Sequence, residues 1–209
     1  MHLPMPVIGI LRGISADFFS ELMPAAFAAG LEALEVTMNT EDAEGIIAAN
    51  RAKVPPGKLL GMGTIRNLEE AKRAVGAGAM FLVTPNLDLA VIDFARSQGV
   101  PVVAGALTPT EVYSAWAAGA NLIKVFPCSA MGGPGYIREL LGPFNQAPLV
   151  AVGGVTYDNA GDYLAAGARG VGVSSSLFGR EALREKNVKK LTENVAAFIG
   201  RCLAAANNL

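Results

Sequence analysis

Three charged residues stand inside apolar runs: Arg12 in GILRG, Glu35 in LEVTM and Lys124 in LIKVFP. The other six lysines (Lys53, Lys58, Lys72, Lys186, Lys189 and Lys190) lie in polar helices or loops. An ammonium group in apolar surroundings loses solvation, so its pKa falls and the free amine becomes available. Such an amine can attack a carbonyl and form a Schiff base. The protonated imine draws electrons, so a neighbouring C–C bond can break to leave an enamine without help from a metal. A carboxylate such as Glu35 can carry protons between the alcohol and the enamine carbon. Lysine and glutamate together would make an imine-forming aldolase.

Plainer roles exist for all three. Lys124 could lie on an exposed strand edge, Glu35 and Lys124 could be a structural buried ion pair, and Arg12 could snorkel to a rim. A second chemical signal comes late in the chain. VAVGGV at 150–155 is followed by GVGVSSSLF at 170–178, two strand exits made of small residues. Small residues let backbone N–H groups approach an anion, and Ser174, Ser175 and Ser176 add hydroxyl donors, which suits a phosphate.

Other chemistries are poorly supplied. The single histidine, His2, near the start, argues against a His-ligated metal centre and a Ser-His-Asp triad. Cys128 and Cys202 have no CxxC spacing and cannot make a disulfide framework. Seventeen basic and 18 acidic residues give a net charge of -1, with no basic stretch suited to nucleic acid. The uncharged run 140–157 contains Pro143, Pro148 and two adjacent glycines, so no membrane span is expected. MHLPMPVIGIL lacks the basic start of a signal peptide, which predicts a cytoplasmic protein.

The elements that must hold these residues repeat. Small-residue segments ending at Gly30, Gly57, Gly78, Gly99, Gly119 and Gly167 are each followed closely by an apolar run, and Gly142 supplies a further unit. A glycine closing a helix in the left-handed conformation, then a buried strand, explains the pattern. The strands read as 7–12, 33–38, 59–64, 80–85, 102–107, 122–127, 149–154 and 170–175, apolar enough to be parallel and covered by helices. Helices are expected over 17–29 with Ser15 as N-cap, 67–75 after Arg66, 87–98 after Asn86, a segment with Pro109 in its first turn, and 188–206. Eight such units in 209 residues predict a (β/α)8 TIM barrel as one domain over 1–209, with a doubly wound open sheet as the alternative. All three charges fall near the C-terminal ends of their strands, where barrel active sites lie.

These residues resemble the class I aldolases that cleave 2-keto-3-deoxy-6-phosphogluconate, including their 6-phosphogalactonate and 4-hydroxy-2-oxoglutarate counterparts. The resemblance runs from ILRG at 10–13 to GVSSSLF at 172–178. It includes LEVTMNT, GMGTI, FLVTPN, GALTPTE, LIKVFP, GPGYIREL and AVGGVTYDN. It implies that Lys124 forms the Schiff base and Glu35 is the general acid/base. Thr64, Pro85 and Phe126 would line the pyruvate part of the site, Arg12 would hold the substrate carboxylate, and Gly153, Gly154 and Ser175 would bind phosphate. It implies a cytoplasmic homotrimer with no cofactor and no metal, acting on a phosphorylated keto acid to release pyruvate.

Two positions depart from the pattern. Many members read LEVTLRT where this chain has Asn39, which shifts the carboxylate role toward Arg12. Many gluconate enzymes read TGG where this chain has Val152, Gly153 and Gly154, which looks more like the galactonate enzymes. The leading expectation is cleavage of 2-keto-3-deoxy-6-phosphogluconate to pyruvate and glyceraldehyde 3-phosphate. The galactonate epimer or 4-hydroxy-2-oxoglutarate as main substrate is the nearest alternative. A phosphate-binding barrel isomerase or synthase and a non-catalytic phospho-ligand binder are the alternatives of other classes.

Overall fold

The computed structural model describes residues 7–206; His2 and the residues around it lie outside that range. The strands are β1 (Val7–Leu11), β2 (Ala33–Thr37), β3 (Leu59–Gly63), β4 (Leu82–Val83), β5 (Val102–Ala106), β6 (Leu122–Val125), β7 (Leu149–Val152) and β8 (Gly170–Val173). Seven helices follow the first seven strands in turn: α1 (Ala16–Ala28), α2 (Ala43–Asn50), α3 (Leu68–Gly76), α4 (Leu89–Ser97), α5 (Pro109–Ala117), α6 (Pro134–Leu141) and α7 (Ala160–Ala165). After β8 come α8 (Ser175–Phe178), α9 (Arg180–Arg184) and α10 (Val188–Ala206). All pairings are parallel, and β1 pairs with both β2 and β8, so the sheet closes in the order β1 to β8. The chain is a (β/α)8 barrel, and the closure removes the open-sheet alternative.

Two separate apolar clusters follow from strand alternation. One fills the barrel interior with Ile8, Ala33, Phe81, Val83, Val103, Leu122, Val150 and Val152. The larger one lies between sheet and helices. Glu35 sits two residues beyond Ala33, and Lys124 two beyond Leu122, so both point inward above the interior cluster. Their strands are four apart in an eight-strand ring and therefore face each other across the axis.

Local signals explain the element ends. The six repeated glycines all have positive φ, but Gly142 does not: it continues the right-handed conformation at the end of α6. Asn67 caps α3 through Glu70 N, and Thr108 with Glu111 forms a reciprocal box at α5, with Pro109 as its first residue. Ser15 precedes α1 without a capping hydrogen bond. The helix expected from residue 87 starts at Leu89, because the Asp88 side chain accepts from Ala90 N and Val91 N. Strand β4 is short, yet backbone bonds from Met80 N, Leu82 N and Thr84 N continue the ladder on both sides of it. Helix α10 covers the expected span and buries Leu191, Val195, Phe198, Ile199 and Cys202 at three- and four-residue spacing. Among the described residues no helix is long and apolar enough to cross a membrane.

Candidate active site

Strands β2 and β6 carry the two buried charges. Glu35 is 1% exposed and Lys124 6%. Loss of solvent pushes the Glu35 carboxyl up to about 7, against the opposing pull of the Lys124 and Arg12 charges. Loss of solvent also lowers the Lys124 pKa; the Glu35 charge opposes that shift and Arg12 adds to it. Among the described residues Glu35 Oε2 is buried without a hydrogen-bond partner, and Glu35 and Lys124 form no ion pair. A structural salt bridge is therefore absent, and a carboxylate oxygen is free to meet a reacting proton. Lys124 Nζ lies 4.9 Å from the centroid of the Phe126 ring, which shields one side of the amine. Glycine at position 63 creates the space for the carboxylate, since a Cβ there would stand 2.3 Å from Glu35 Oε1.

Arg12 lies just past the end of β1, at the rim. Its Nη1 donates to Asn39 Oδ1 at 2.7 Å and its Nη2 to Thr64 Oγ1 at 3.4 Å. Thr64 has φ +58, a left-handed conformation that costs a β-branched residue roughly 1–3 kcal/mol and persists only where neighbours enforce it. The neighbours are visible: Ile65 N donates to Val83 O at 3.1 Å, and Arg66 N donates to Glu70 Oε2 at 2.7 Å in the first turn of α3. The strain aims the Thr64 hydroxyl at the guanidinium.

At the opposite end, the turn after β7 brings backbone toward the cavity. Gly153 and Gly154 have φ +93 and +77, and a Cβ on Gly154 would lie 2.3 Å from Ser129 Cβ. Asn159 Nδ2 donates to Gly154 O at 3.0 Å and holds the turn. Ser174, Ser175 and Ser176 face it from the end of β8 and the start of α8, with Arg180 beyond them. Arg180 makes no hydrogen bond or ion pair among the described residues.

One cavity of about 390 Å³ joins these ends. Arg12, Glu35, Thr64, Pro85, Lys124, Phe126, Val152, Gly153, Gly154 and Ser175 all line it, so the structure gathers every residue expected to catalyse or to touch substrate; Asn39 lies outside it. Sequence reasoning missed Arg180 and Thr156, which also line it, and the contact of Asn39 with Arg12. A cation four residues past the serine run was the available signal for Arg180. Chemically, the cavity offers an amine of lowered basicity, a carboxyl group poised near neutrality, and anion-binding groups at both ends.

A parallel barrel with a buried lysine and carboxylate at the C-terminal ends of its strands defines a class suited to imine chemistry. Comparison with known proteins gives the family: the model of the aldolase family described as "KDPG and KHG aldolase" matches residues 4–194. The chain belongs to that family and is an aldolase, a carbon–carbon lyase. It is 36% identical over 175 residues to a probable 2-dehydro-3-deoxy-6-phosphogalactonate aldolase of Rhizobium meliloti, covering 83% of this chain and 82% of that one. It is 34% identical over 196 residues to the 2-dehydro-3-deoxy-6-phosphogalactonate aldolase of Escherichia coli, covering 93% of each. A solved structure described as native KDPGal superposes with a TM-score of 0.91 at 33% identity, covering 99% of this chain and 98% of that one. The isomerase, synthase and non-catalytic alternatives give way to this assignment.

Proposed function

We propose that the chain is a metal-independent class I aldolase for 2-keto-3-deoxy-6-phospho sugar acids, with Lys124 as imine former and Glu35 as proton carrier. It releases pyruvate and glyceraldehyde 3-phosphate and accepts both C4 epimers, the galactonate ahead of the gluconate. The observation that carries this reading is a buried lysine sharing one cavity with a buried carboxylate that has an unpartnered oxygen. Lys124 Nζ attacks the C2 carbonyl and water leaves, giving the protonated imine. Glu35 accepts the C4 hydroxyl proton, the C3–C4 bond breaks, and the aldehyde departs as the electron pair forms the enamine. Glu35 returns the proton to C3, and water hydrolyses the imine to pyruvate and free lysine.

Arg12 holds the substrate carboxylate beside Lys124. Thr64, Pro85 and Phe126 enclose the pyruvate carbons, and Gly153, Gly154 and Ser175 bind the phosphate at the far end. The preference for galactonate rests on Val152 in the cavity wall and on the names of the relatives above. Activity on 4-hydroxy-2-oxoglutarate would be weaker, since that substrate has no phosphate for the far end. The resemblance noted above supports a cytoplasmic homotrimer with the whole chain as one aldolase domain.

Borohydride reduction in the presence of pyruvate tests the imine: the parent should gain one pyruvyl adduct at Lys124, read by mass spectrometry. Lys124→Met should gain none, lose turnover, and stay folded or become more stable, because a buried amine is replaced by an apolar chain of similar volume. Retention of activity within tenfold would exclude the imine route.

A further inference from the structure

The turns after β1 and β2 are fastened together at two adjacent points. Gly13 N donates to Thr40 Oγ1 at 3.0 Å, and Arg12 Nη1 donates to Asn39 Oδ1 at 2.7 Å. The second turn is itself fixed by Thr40 N donating to Thr37 O at 2.8 Å and by the contact between the two threonine hydroxyls at 3.1 Å. Arg12 is exposed and long, so without such contacts its guanidinium would sample many rotamers. Both acceptors that hold it, the Asn39 amide oxygen and the Thr64 hydroxyl, are neutral. No carboxylate pairs with Arg12 among the described residues. Two of the five guanidinium donors are thus used for orientation, while the charge and the remaining donors stay available to an incoming anion.

We infer that Asn39 is a positioning residue that holds the Arg12 guanidinium over the cavity through a neutral acceptor, and so sets the affinity for the carboxylate of a 2-oxo acid. The inference rests on the proposed imine reading only for the identity of the ligand. An aspartate at position 39 would have nearly the same shape but would compensate the Arg12 charge permanently. An alanine would leave the charge free and untethered. The two substitutions should therefore weaken carboxylate binding for different reasons and by different amounts.

The experiment measures half-saturation of borohydride inactivation by pyruvate and by hydroxyacetone, a ketone without a carboxylate, in parent, Asn39→Asp and Asn39→Ala. Thermal midpoints are recorded for each protein. The pyruvate half-saturation should rise roughly ten- to a hundredfold in Asn39→Asp and about three- to tenfold in Asn39→Ala. The hydroxyacetone value and the maximal inactivation rate should stay within twofold of the parent. Parent-like pyruvate values in both variants, or equal losses with both ketones, would overturn the role of Asn39. If the parent forms no adduct with pyruvate, the imine reading fails instead. Calorimetric titration with pyruvate then still decides the Asn39 question by the same order of affinities.

Discussion

The two ends of the cavity handle charge by opposite means. At the near end, Glu35 and Lys124 are buried side chains on strands, and their proton affinities are displaced by loss of water. At the far end, the cavity is lined by left-handed glycines, serines and one exposed arginine, all on loops or short helices. On the proposed reading the first end must change protonation during a reaction, and its groups sit where burial displaces their proton affinities. On the same reading the second has only to hold a permanent anion, which backbone N–H groups and a solvated cation can do without any shift in proton affinity. The proposed function thus puts chemistry in the closed barrel and recognition in the loops above it.

That division predicts that the largest effect comes from neutralising the buried carboxyl. Glu35→Gln keeps the shape and should lower kcat ~10²–10⁴-fold, the usual range for a general acid–base group. The parent should lose activity below pH ~7, as Glu35 takes up the proton it must accept from the C4 hydroxyl, and the variant should lack that limb. Stability gives an independent reading. The folded carboxyl titrates near 7 instead of 4.5, so between those values the native state holds a proton that the unfolded chain has released. Parent stability therefore falls as pH rises through that window, by roughly 3 kcal/mol for such a shift. Thermal midpoints from pH 4.5 to 8 should show Glu35→Gln gaining steadily on the parent; parallel curves would mean that burial does not govern this carboxyl.

The far end should behave differently. Arg180→Gln removes the one cation lining that end, and kcat/KM for the phosphorylated substrate should fall about ten- to a hundredfold, as for a lost hydrogen bond to a charged group. Pyruvate trapping at Lys124 should be unchanged, and so should turnover of the unphosphorylated 2-keto-3-deoxy acid. The loss should also shrink as salt is raised, because an exposed charge is screened. Equal losses with both substrates would place Arg180 in the chemistry and break the division between the ends.

The same contrast explains what could be read from the sequence. Glu35 and Lys124 were legible because period-two alternation fixes which way a strand residue points, and a charge in an apolar strand has few inexpensive positions. The barrel was legible through the glycine-then-strand repeat, although Gly142 completes that count without the left-handed turn of the others. Arg180 was only faintly legible, as a cation four residues past the serine run, because its approach to the cavity depends on how α8 ends at Gly179, with φ +85, a tertiary detail. Asn39 was noticed as a departure from a family pattern, but its contact with Arg12, 27 positions earlier, needs the closed barrel to bring two turns together.

The smallest effect, and the sharpest test of where recognition lies, concerns C4. On the proposed reading, anchors at both ends fix a 2-keto-3-deoxy-6-phospho acid, so its two C4 epimers differ chiefly in where one hydroxyl points. Val152 stands at the junction of the two regions: it ends β7, is 7% exposed, lines the cavity and precedes the Gly153–Gly154 turn. Its side chain cannot hydrogen-bond, whereas threonine of similar shape could bond the hydroxyl of one epimer. Such a bond, where water can partly replace it, is worth ~0.5–1.5 kcal/mol, roughly three- to tenfold in rate. The parent should therefore accept both epimers within a hundredfold, and Val152→Thr should shift the kcat/KM ratio three- to tenfold toward the gluconate. The measurement is pyruvate release from both epimers by both proteins under identical conditions. An unchanged ratio would move the reading of C4 away from β7, to Thr37 at the end of β2 or Asn39 in the turn after it, and recognition would then share the first end with the chemistry.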